Sequence, residues 1–88
     1  MFNQKHILVI DDDPKLSNLL KSYLSSQGYH VDLAESTDSA RDKMQSIIFD
    51  LLILDVMLPK ENGLVFAAKL KENDKVPILM LSAMGNTN

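Results

Sequence analysis

The segment that most constrains the fold of this chain spans residues 49–59. Residues 51–54 are all large and apolar, Asp55 ends this run, and a loop marked by Pro59 and Gly63 follows. A short, almost continuous apolar run is typical of a strand that is covered on both faces, as in a parallel sheet. Because α/β sheets bind ligands at the carboxyl ends of their strands, Asp55 is a candidate functional residue. The alternative is that Asp55 only caps a helix or begins a turn.

Three other segments predict strands. Residues 7–10 and 76–81 are apolar runs, and residues 29–34 alternate between apolar and polar side chains, as in a strand near a sheet edge. Helical patterns separate the strands, which gives the order β-α-β-α-β-α-β. This alternation predicts an α/β fold in which parallel strands are joined by right-handed crossovers, with helices on both faces. We expect one domain over residues 1–88, without an internal linker or repeat.

The three helices have recognisable starts. The first is predicted to begin at Asp13-Pro14, because aspartate caps helices and proline suits the first helical position. A second, more polar helix follows a cap at residue 36 or 37, and a third opens near Asn62. The residues expected to face the core are Leu16, Leu19, Leu20, Tyr23 and Leu24 in the first helix, Ala40, Met44 and Ile47 or Ile48 in the second, and Phe66, Ala67 and Leu70 in the third.

Composition excludes several classes of function. A net charge of −3 gives no indication of nonspecific nucleic-acid binding, and the absence of cysteine excludes disulfides and thiolate metal sites. No apolar run approaches the roughly 18 residues that a membrane span needs, and the first residues do not resemble a signal peptide, so we expect a cytoplasmic protein. His6 and His30 are predicted to be surface or strand-edge residues, because the sequence shows no cluster of ligands around either.

Polar residues of a particular kind follow three of the four strands. Asp11 and Asp12 follow the first, Asp55 the third and Ser82 the fourth. In a doubly wound sheet of order 2-1-3-4-5 the first and third strands are neighbours, so the three carboxylates would meet in one crevice. They would repel one another unless a cation intervened, and Mg²⁺ prefers such oxygen ligands. A carboxylate beside Mg²⁺ can be phosphorylated, and Ser82 could then donate a hydrogen bond to a phosphoryl oxygen.

Three motifs together resemble the receiver domain of two-component response regulators, over nearly the whole chain. They are residues 7–13 (Ile-Leu-Val-Ile-Asp-Asp-Asp), residues 54–59 (Leu-Asp-Val-Met-Leu-Pro) with Gly63, and residues 77–83 (Pro-Ile-Leu-Met-Leu-Ser-Ala). The resemblance implies a flavodoxin-like receiver fold, a doubly wound parallel sheet of order 2-1-3-4 in this chain. It also implies a phosphoacceptor signalling domain rather than an enzyme.

The resemblance assigns a role to each matching residue. Asp55 would accept a phosphoryl group from a phosphohistidine of a sensor histidine kinase or a phosphotransfer protein. Asp12 would bind Mg²⁺ directly, Asp11 would help through water, and the Met57 backbone carbonyl would complete the metal site. Ser82 would be the switch residue that turns toward the phosphoryl group. The sequence of residues 55–59 is most similar to that of regulators with a winged-helix DNA-binding output. This similarity implies transcription regulation, but no nucleic-acid contact by this segment.

The sequence departs from the family at its carboxyl end. A full receiver has five βα units, whereas these residues match the family only through the fourth strand, and neither Lys60 nor Lys75 corresponds to the lysine that the fifth strand carries. We therefore expect a receiver that is incomplete at its carboxyl end, in which phosphorylation is formed poorly or lost quickly. The apolar strand at 76–82 is expected to dimerise, to swap elements, or to require the missing segment as a separate chain.

Two other functions stay open from the residues alone. Asp11 and Asp13 have the Asp-x-Asp spacing of haloacid-dehalogenase-type phosphatases, but Lys15 stands where that motif has threonine or valine. That alternative also gives Asp55 and Ser82 no role. The second alternative is a non-phosphorylated interaction module with a degenerate receiver fold. The missing lysine favours it, and the intact acidic trio argues against it.

Overall fold

The computed structural model describes residues 4–73 and 76–81. In this part of the chain strands and helices alternate as predicted. Their bounds are β1 (His6–Ile10), α1 (Pro14–Ser26), β2 (His30–Ala34), α2 (Thr37–Ser46), β3 (Leu51–Asp55), α3 (Gly63–Asn73) and β4 (Ile78–Leu81). None of the helices among the described residues is long and apolar enough to cross a membrane.

The strands form one parallel sheet in the order β2-β1-β3-β4. The predicted fold class and strand order are therefore confirmed. Ile10, the last residue of β1, pairs with Ala34 on one side and with Leu54 on the other. The carboxyl ends of β1 and β3 consequently lie next to each other, at the point where the winding of the sheet reverses.

Each face of the sheet has its own helical cover. One face packs against α2 and α3, in a core that contains Leu8, Ile10, Ala40, Leu52, Leu54, Phe66 and Ala67. The other face packs against α1, with Ile7, Val9, Val31 and Ile53 buried and Leu20 and Leu24 partly buried against them. Because both faces of β1 and β3 are covered, their sequences are continuous apolar runs rather than alternating ones.

Side-chain caps begin the helices where the sequence predicted them. Asp13 Oδ1 accepts a hydrogen bond from the Lys15 amide at 3.0 Å, and Ser36 Oγ accepts one from the Ser39 amide at 3.1 Å. At the start of α3, Asn62 Oδ1 accepts from the Leu64 amide at 2.7 Å. These bonds satisfy amide groups that have no partner inside the helix.

The predicted core face of α1 is wrong at three positions. Leu16, Leu19 and Tyr23 are exposed, the last two by 66% and 61%. The helix is turned so that Ser17 is buried, and its hydroxyl donates to the Asp11 carbonyl at 3.4 Å. A polar residue therefore takes a buried position because its hydroxyl has a partner. Directly after α2, Ile47 is partly buried against the core, whereas Ile48 is 90% exposed.

Candidate functional site

The carboxylates of Asp11, Asp12 and Asp55 meet at the carboxyl ends of β1 and β3. Asp11 and Asp12 directly follow β1, and Asp55 is the last residue of β3. One oxygen from each carboxylate lies within 4.8 Å of the other two. The strand order therefore brings together three side chains that are far apart along the chain, as expected from the sequence. We call this group the acidic site.

Asp11 is the most buried member of the acidic site, with 4% of its surface exposed. Burial raises the pKa of its carboxyl above the usual range, and the Asp13 amide opposes this by donating to Asp11 Oδ1 at 2.9 Å. The negative charges of Asp55, Asp12 and Asp13 raise the same pKa further. A bound cation would relieve both the desolvation and the repulsion.

Asp55 and Asp12 present their carboxylates at the opening of the site. Asp12 is exposed and Asp55 is half-buried. The Met57 amide donates to Asp55 Oδ1 at 3.0 Å, which places the Met57 backbone in the turn directly above the acceptor candidate. The Val56 amide donates to the Leu81 carbonyl at 3.0 Å and so ties this turn to the end of β4.

Ser82 lies outside the described residues. Its predecessor Leu81 is the register partner of Asp55 in the β3–β4 pair and ends β4.

Gly63 is required where α3 approaches the acidic site. A Cβ added at this position would lie 2.6 Å from the Asp55 carbonyl oxygen and 2.8 Å from the Val56 Cα. The Gly63 amide also donates to the Val56 carbonyl at 3.0 Å. The first residue of α3 therefore sits directly on the backbone that presents Asp55, and only glycine leaves room for this contact.

An ion-pair network holds the loop between β3 and α3. Glu61 accepts a hydrogen bond from the Thr37 hydroxyl at 2.8 Å, Arg41 Nη2 lies 2.8 Å from Glu61 Oε1, and Lys69 Nζ lies 3.5 Å from Oε2. The Thr37 hydrogen bond has the largest effect and lowers the pKa of the Glu61 carboxyl. Burial, the next largest, raises it, and Arg41 and Lys69 lower it further, so that the pKa lies below its usual range. This network was not predicted from the sequence, because Thr37 and Arg41 are 24 and 20 residues away from Glu61.

Among residues 4–73 and 76–81, no basic side chain forms an ion pair with the acidic site. The ion pairs in this part of the chain involve the carboxylates of Asp32, Asp38 and Glu61. Carboxylate oxygens at this density are the ligands that Mg²⁺ prefers, in combination with waters and phosphate oxygens. The geometry can therefore hold a hard divalent cation beside a carboxylate that is open to an incoming phosphoryl group.

Comparison with known proteins identifies the family. A family model described as the response regulator receiver domain matches residues 7–88. The chain belongs to this family. Receiver domains are signalling domains of two-component systems, they are generally Mg²⁺-dependent, and they work with histidine kinases. Neither the phosphatase nor the degenerate interaction module is favoured by these findings.

The relatives are longer proteins. The chain is 41% identical over 80 residues to the transcriptional regulatory protein CpxR of Escherichia coli K12, which covers 91% of this chain and 34% of CpxR. It is 37% identical over 83 residues to the transcriptional regulatory protein ResD of Bacillus subtilis 168, covering 94% of this chain and 35% of ResD. The chain therefore spans about a third of the length of these relatives.

Solved receiver structures share the fold. The response regulator TrrA of Thermotoga maritima, solved in complex with Mg²⁺-BeF, is 38% identical with a TM-score of 0.86, covering 93% of this chain and 72% of that one. The receiver domain of the TMAO respiratory regulator TorR is 37% identical with a TM-score of 0.82, covering 86% of this chain and 63% of that one.

Proposed function

We propose that Asp55 accepts a phosphoryl group from a phosphohistidine of a sensor histidine kinase or a phosphotransfer protein, in a Mg²⁺-dependent reaction. The observation that supports this most directly is the meeting of Asp55 with Asp11 and Asp12 within 4.8 Å. In the transfer, the P–N bond to the histidine breaks and a P–O bond to the Asp55 carboxylate forms, while the imidazole leaves with the electron pair. The domain signals by this modification and does not turn over a substrate.

The surrounding residues hold the cation and the modified carboxylate. We assign direct Mg²⁺ binding to Asp12 and Asp55, a contact through water to Asp11, and a further ligand to the Met57 carbonyl. Bound Mg²⁺ would neutralise charge on the transferring group. The Met57 amide supports this assignment because it already holds Asp55 Oδ1 at 3.0 Å. Ser82, which follows the register partner of Asp55, is assigned as the residue that donates to a phosphoryl oxygen.

The signalling output is proposed to lie outside this segment. The relatives CpxR and ResD are named transcriptional regulators and are about three times as long as the matched region. We infer that these 88 residues belong to the receiver part of a cytoplasmic regulator with a DNA-binding output. With a net charge of −3, the segment itself has no role in contacting nucleic acid.

Mass spectrometry after treatment with phosphoramidate and Mg²⁺ tests the assignment of Asp55. Wild type should gain one phosphoryl group, at low occupancy or for a short time because these residues lack the family lysine. Asp55→Asn should gain none, and the exposed-surface control Asp42→Asn should behave as wild type. Beryllium fluoride, a mimic of the product, should bind wild type and not Asp55→Asn. An acyl phosphate located on Asp11 or Asp12 would overturn the assignment. Mg²⁺ binding without any phosphorylation would indicate the degenerate interaction module instead.

We further propose that the 88-residue polypeptide self-associates through β4. Within the described residues β4 lies at the edge of the sheet, and Leu79 is 53% exposed on it. An apolar edge strand pairs readily with another chain. Sedimentation at micromolar concentration should show dimers or larger species for wild type and for Leu64→Lys, a control on exposed α3 surface. Leu79→Lys should shift the distribution to monomer, whereas a monomeric wild type would refute the proposal.

A further inference from the structure

A second cluster of candidate ligands lies at the amino-terminal edge of the sheet, opposite the acidic site. His6 and His30 are register partners at the starts of β1 and β2, and Asp32 lies two residues after His30 on the same face of the strand. One ligand atom from each of these three side chains lies within 4.8 Å of the other two. The histidines lie at strand starts and His30 is exposed, as predicted, but the reason given for that prediction, that no cluster of candidate ligands surrounds them, is wrong. We call this group the histidine site.

The three side chains of the histidine site converge closely. His6 Nε2 lies 2.7 Å from Asp32 Oδ2. The rings of His6 and His30 meet edge to face, with their centroids 4.3 Å apart and an angle of 62° between the planes. The side chains of His6 and Asp32 are partly buried, whereas His30 is exposed. The site is thus open to solvent on the His30 side, which provides an entry path and room for a water ligand.

The backbones that carry the two histidines are fixed by hydrogen bonds. The His6 amide donates to Asp50 Oδ2 at 2.8 Å, and the Asp50 amide donates to the His6 carbonyl at 2.7 Å. The His30 amide donates to the Lys5 carbonyl at 2.9 Å. The Phe49 ring packs edge to face against the His6 ring at a centroid distance of 4.8 Å. Ligands held on strands in this way are placed more precisely than ligands on loops.

We propose that His6, His30 and Asp32 form a binding site for Zn²⁺, with water as the fourth ligand. Two imidazoles and a carboxylate are the ligand set of zinc sites that keep one position open. Imidazole nitrogen suits Zn²⁺, whereas Mg²⁺ prefers the all-oxygen acidic site at the other edge. Tetrahedral ligands at zinc distances lie about 3.3 Å apart, so the His6–Asp32 pair would separate by about 0.6 Å, within the reach of a small side-chain rotation.

The same geometry without a metal would be a hydrogen bond between His6 and Asp32 that only joins β1 to β2. The two interpretations differ at His30, which belongs to the zinc site but not to the 2.7 Å contact. Because His30 is exposed, a substitution there should leave the fold intact. The variant His30→Gln therefore separates metal binding from a structural role of the pair.

Calorimetric titration of Zn²⁺ into the chain without a purification tag, in excess Mg²⁺ to occupy the acidic site, tests the proposal. Wild type should bind one equivalent, and Asp55→Asn, changed at the opposite edge, should bind with the same affinity. His30→Gln and Asp32→Asn should each weaken binding by at least about tenfold. Cobalt substituted for zinc should give the visible absorption of a tetrahedral site in wild type and not in His30→Gln.

Several outcomes would overturn the zinc site. One is a wild-type chain that takes up no Zn²⁺. Another is equal affinity of wild type and His30→Gln, which would mean adventitious binding elsewhere. Loss of Zn²⁺ binding in Asp55→Asn would move the ion to the acidic site. Circular dichroism of each variant excludes unfolding as the cause of a loss.

Discussion

The carboxyl and amino ends of the strands, here called the carboxyl edge and the amino edge, differ in whether their carboxylates have a partner. At the carboxyl edge, Asp11, Asp12 and Asp55 lie within 4.8 Å of one another, and the ion pairs of the described residues do not include them. At the amino edge, Asp32 has a partner, because its carboxylate lies 2.7 Å from His6 Nε2. A carboxylate with a partner can stabilise the fold. A carboxylate without one lowers the stability until a ligand binds. The carboxyl edge is therefore where bound Mg²⁺ or a phosphoryl group can change the repulsion between the carboxylates.

The two edges also differ in how closely the backbone packs. The space around a Cβ added at Gly63 and at Gly28 shows this difference. Gly63 at the carboxyl edge has no space for a Cβ, since the Asp55 carbonyl oxygen would lie 2.6 Å away. Gly28, just before β2 at the amino edge, has a φ of +97°, but a Cβ added there would have no heavy atom within 4 Å. A substitution at Gly63 must move backbone, while one at Gly28 meets only local strain.

Replacing each glycine by alanine gives the largest expected effect on stability. Gly63→Ala should lower the free energy of unfolding by about 3 kcal/mol, because a rigid backbone contact has to open. Gly28→Ala should cost only about 1 kcal/mol, the cost of a left-handed conformation for a residue with a Cβ. Urea unfolding measures both. Equal losses would show that α3 does not rest on the β3 backbone as closely as the structure indicates.

Matched aspartates test whether the Mg²⁺ site is confined to the carboxyl edge. Asp12→Asn removes a charged ligand candidate from the acidic site and should weaken Mg²⁺ binding by about tenfold or more, which corresponds to about 1.4 kcal/mol. Asp32→Asn removes the same charge from the amino edge and should leave Mg²⁺ affinity unchanged. Isothermal titration with Mg²⁺ distinguishes them. Equal Mg²⁺ affinity of wild type and Asp12→Asn would remove Asp12 from the metal site.

Sequence reasoning predicted that Asp11, Asp12 and Asp55 meet at the carboxyl edge, but it missed the cluster around His6 at the amino edge. At the carboxyl edge the signal is local in the chain, because apolar runs end in Asp11-Asp12 and in Asp55, and the strand order then brings these ends together. At the amino edge the contact of His6 with Asp32 depends on the register of two strands. No local motif predicts which residues of two strands pair. Pairing the first residues of the two predicted strands would nevertheless have placed the histidines side by side.

The orientation of helices was harder to predict than their positions. The caps at Asp13 and Ser36 fixed where α1 and α2 begin. The apolar stripe of α1 did not fix which side faces the sheet, because Leu16 and Leu19 compete with Leu20 and Leu24 for that role. In the structure Leu20 and Leu24 pack against the sheet, and Ser17 is buried with its hydroxyl donating to the Asp11 carbonyl. The buried side of α1 therefore includes a serine with a hydrogen-bond partner, which hydrophobic periodicity alone does not predict.

The smallest expected effect concerns the stability that the fold loses when the Asp11 carboxyl in the acidic site ionises. Burial raises the pKa of the Asp11 carboxyl, and Asp55, Asp12 and Asp13 add repulsion. A raised carboxyl pKa in the folded state means that folding favours the protonated form, so stability present at low pH is lost as the pH rises through that pKa. Asp11→Asn, which cannot ionise, should therefore have a higher Tm than wild type at pH 7.5 in the absence of Mg²⁺. The difference should shrink as the pH is lowered towards 4.

Mg²⁺ should change which protein, wild type or Asp11→Asn, has the higher Tm. The cation compensates the Asp11 charge in wild type and binds the variant less well. In saturating Mg²⁺ the advantage of Asp11→Asn should disappear or reverse. The exposed control Asp42→Asn should follow wild type at each pH and in both Mg²⁺ conditions. Thermal unfolding followed by circular dichroism gives all of these values. A lower Tm for Asp11→Asn than for wild type at pH 7.5 without Mg²⁺ would mean that the Asp11 carboxylate stabilises the fold, and the contrast drawn between the two edges would then fail at its most buried charge.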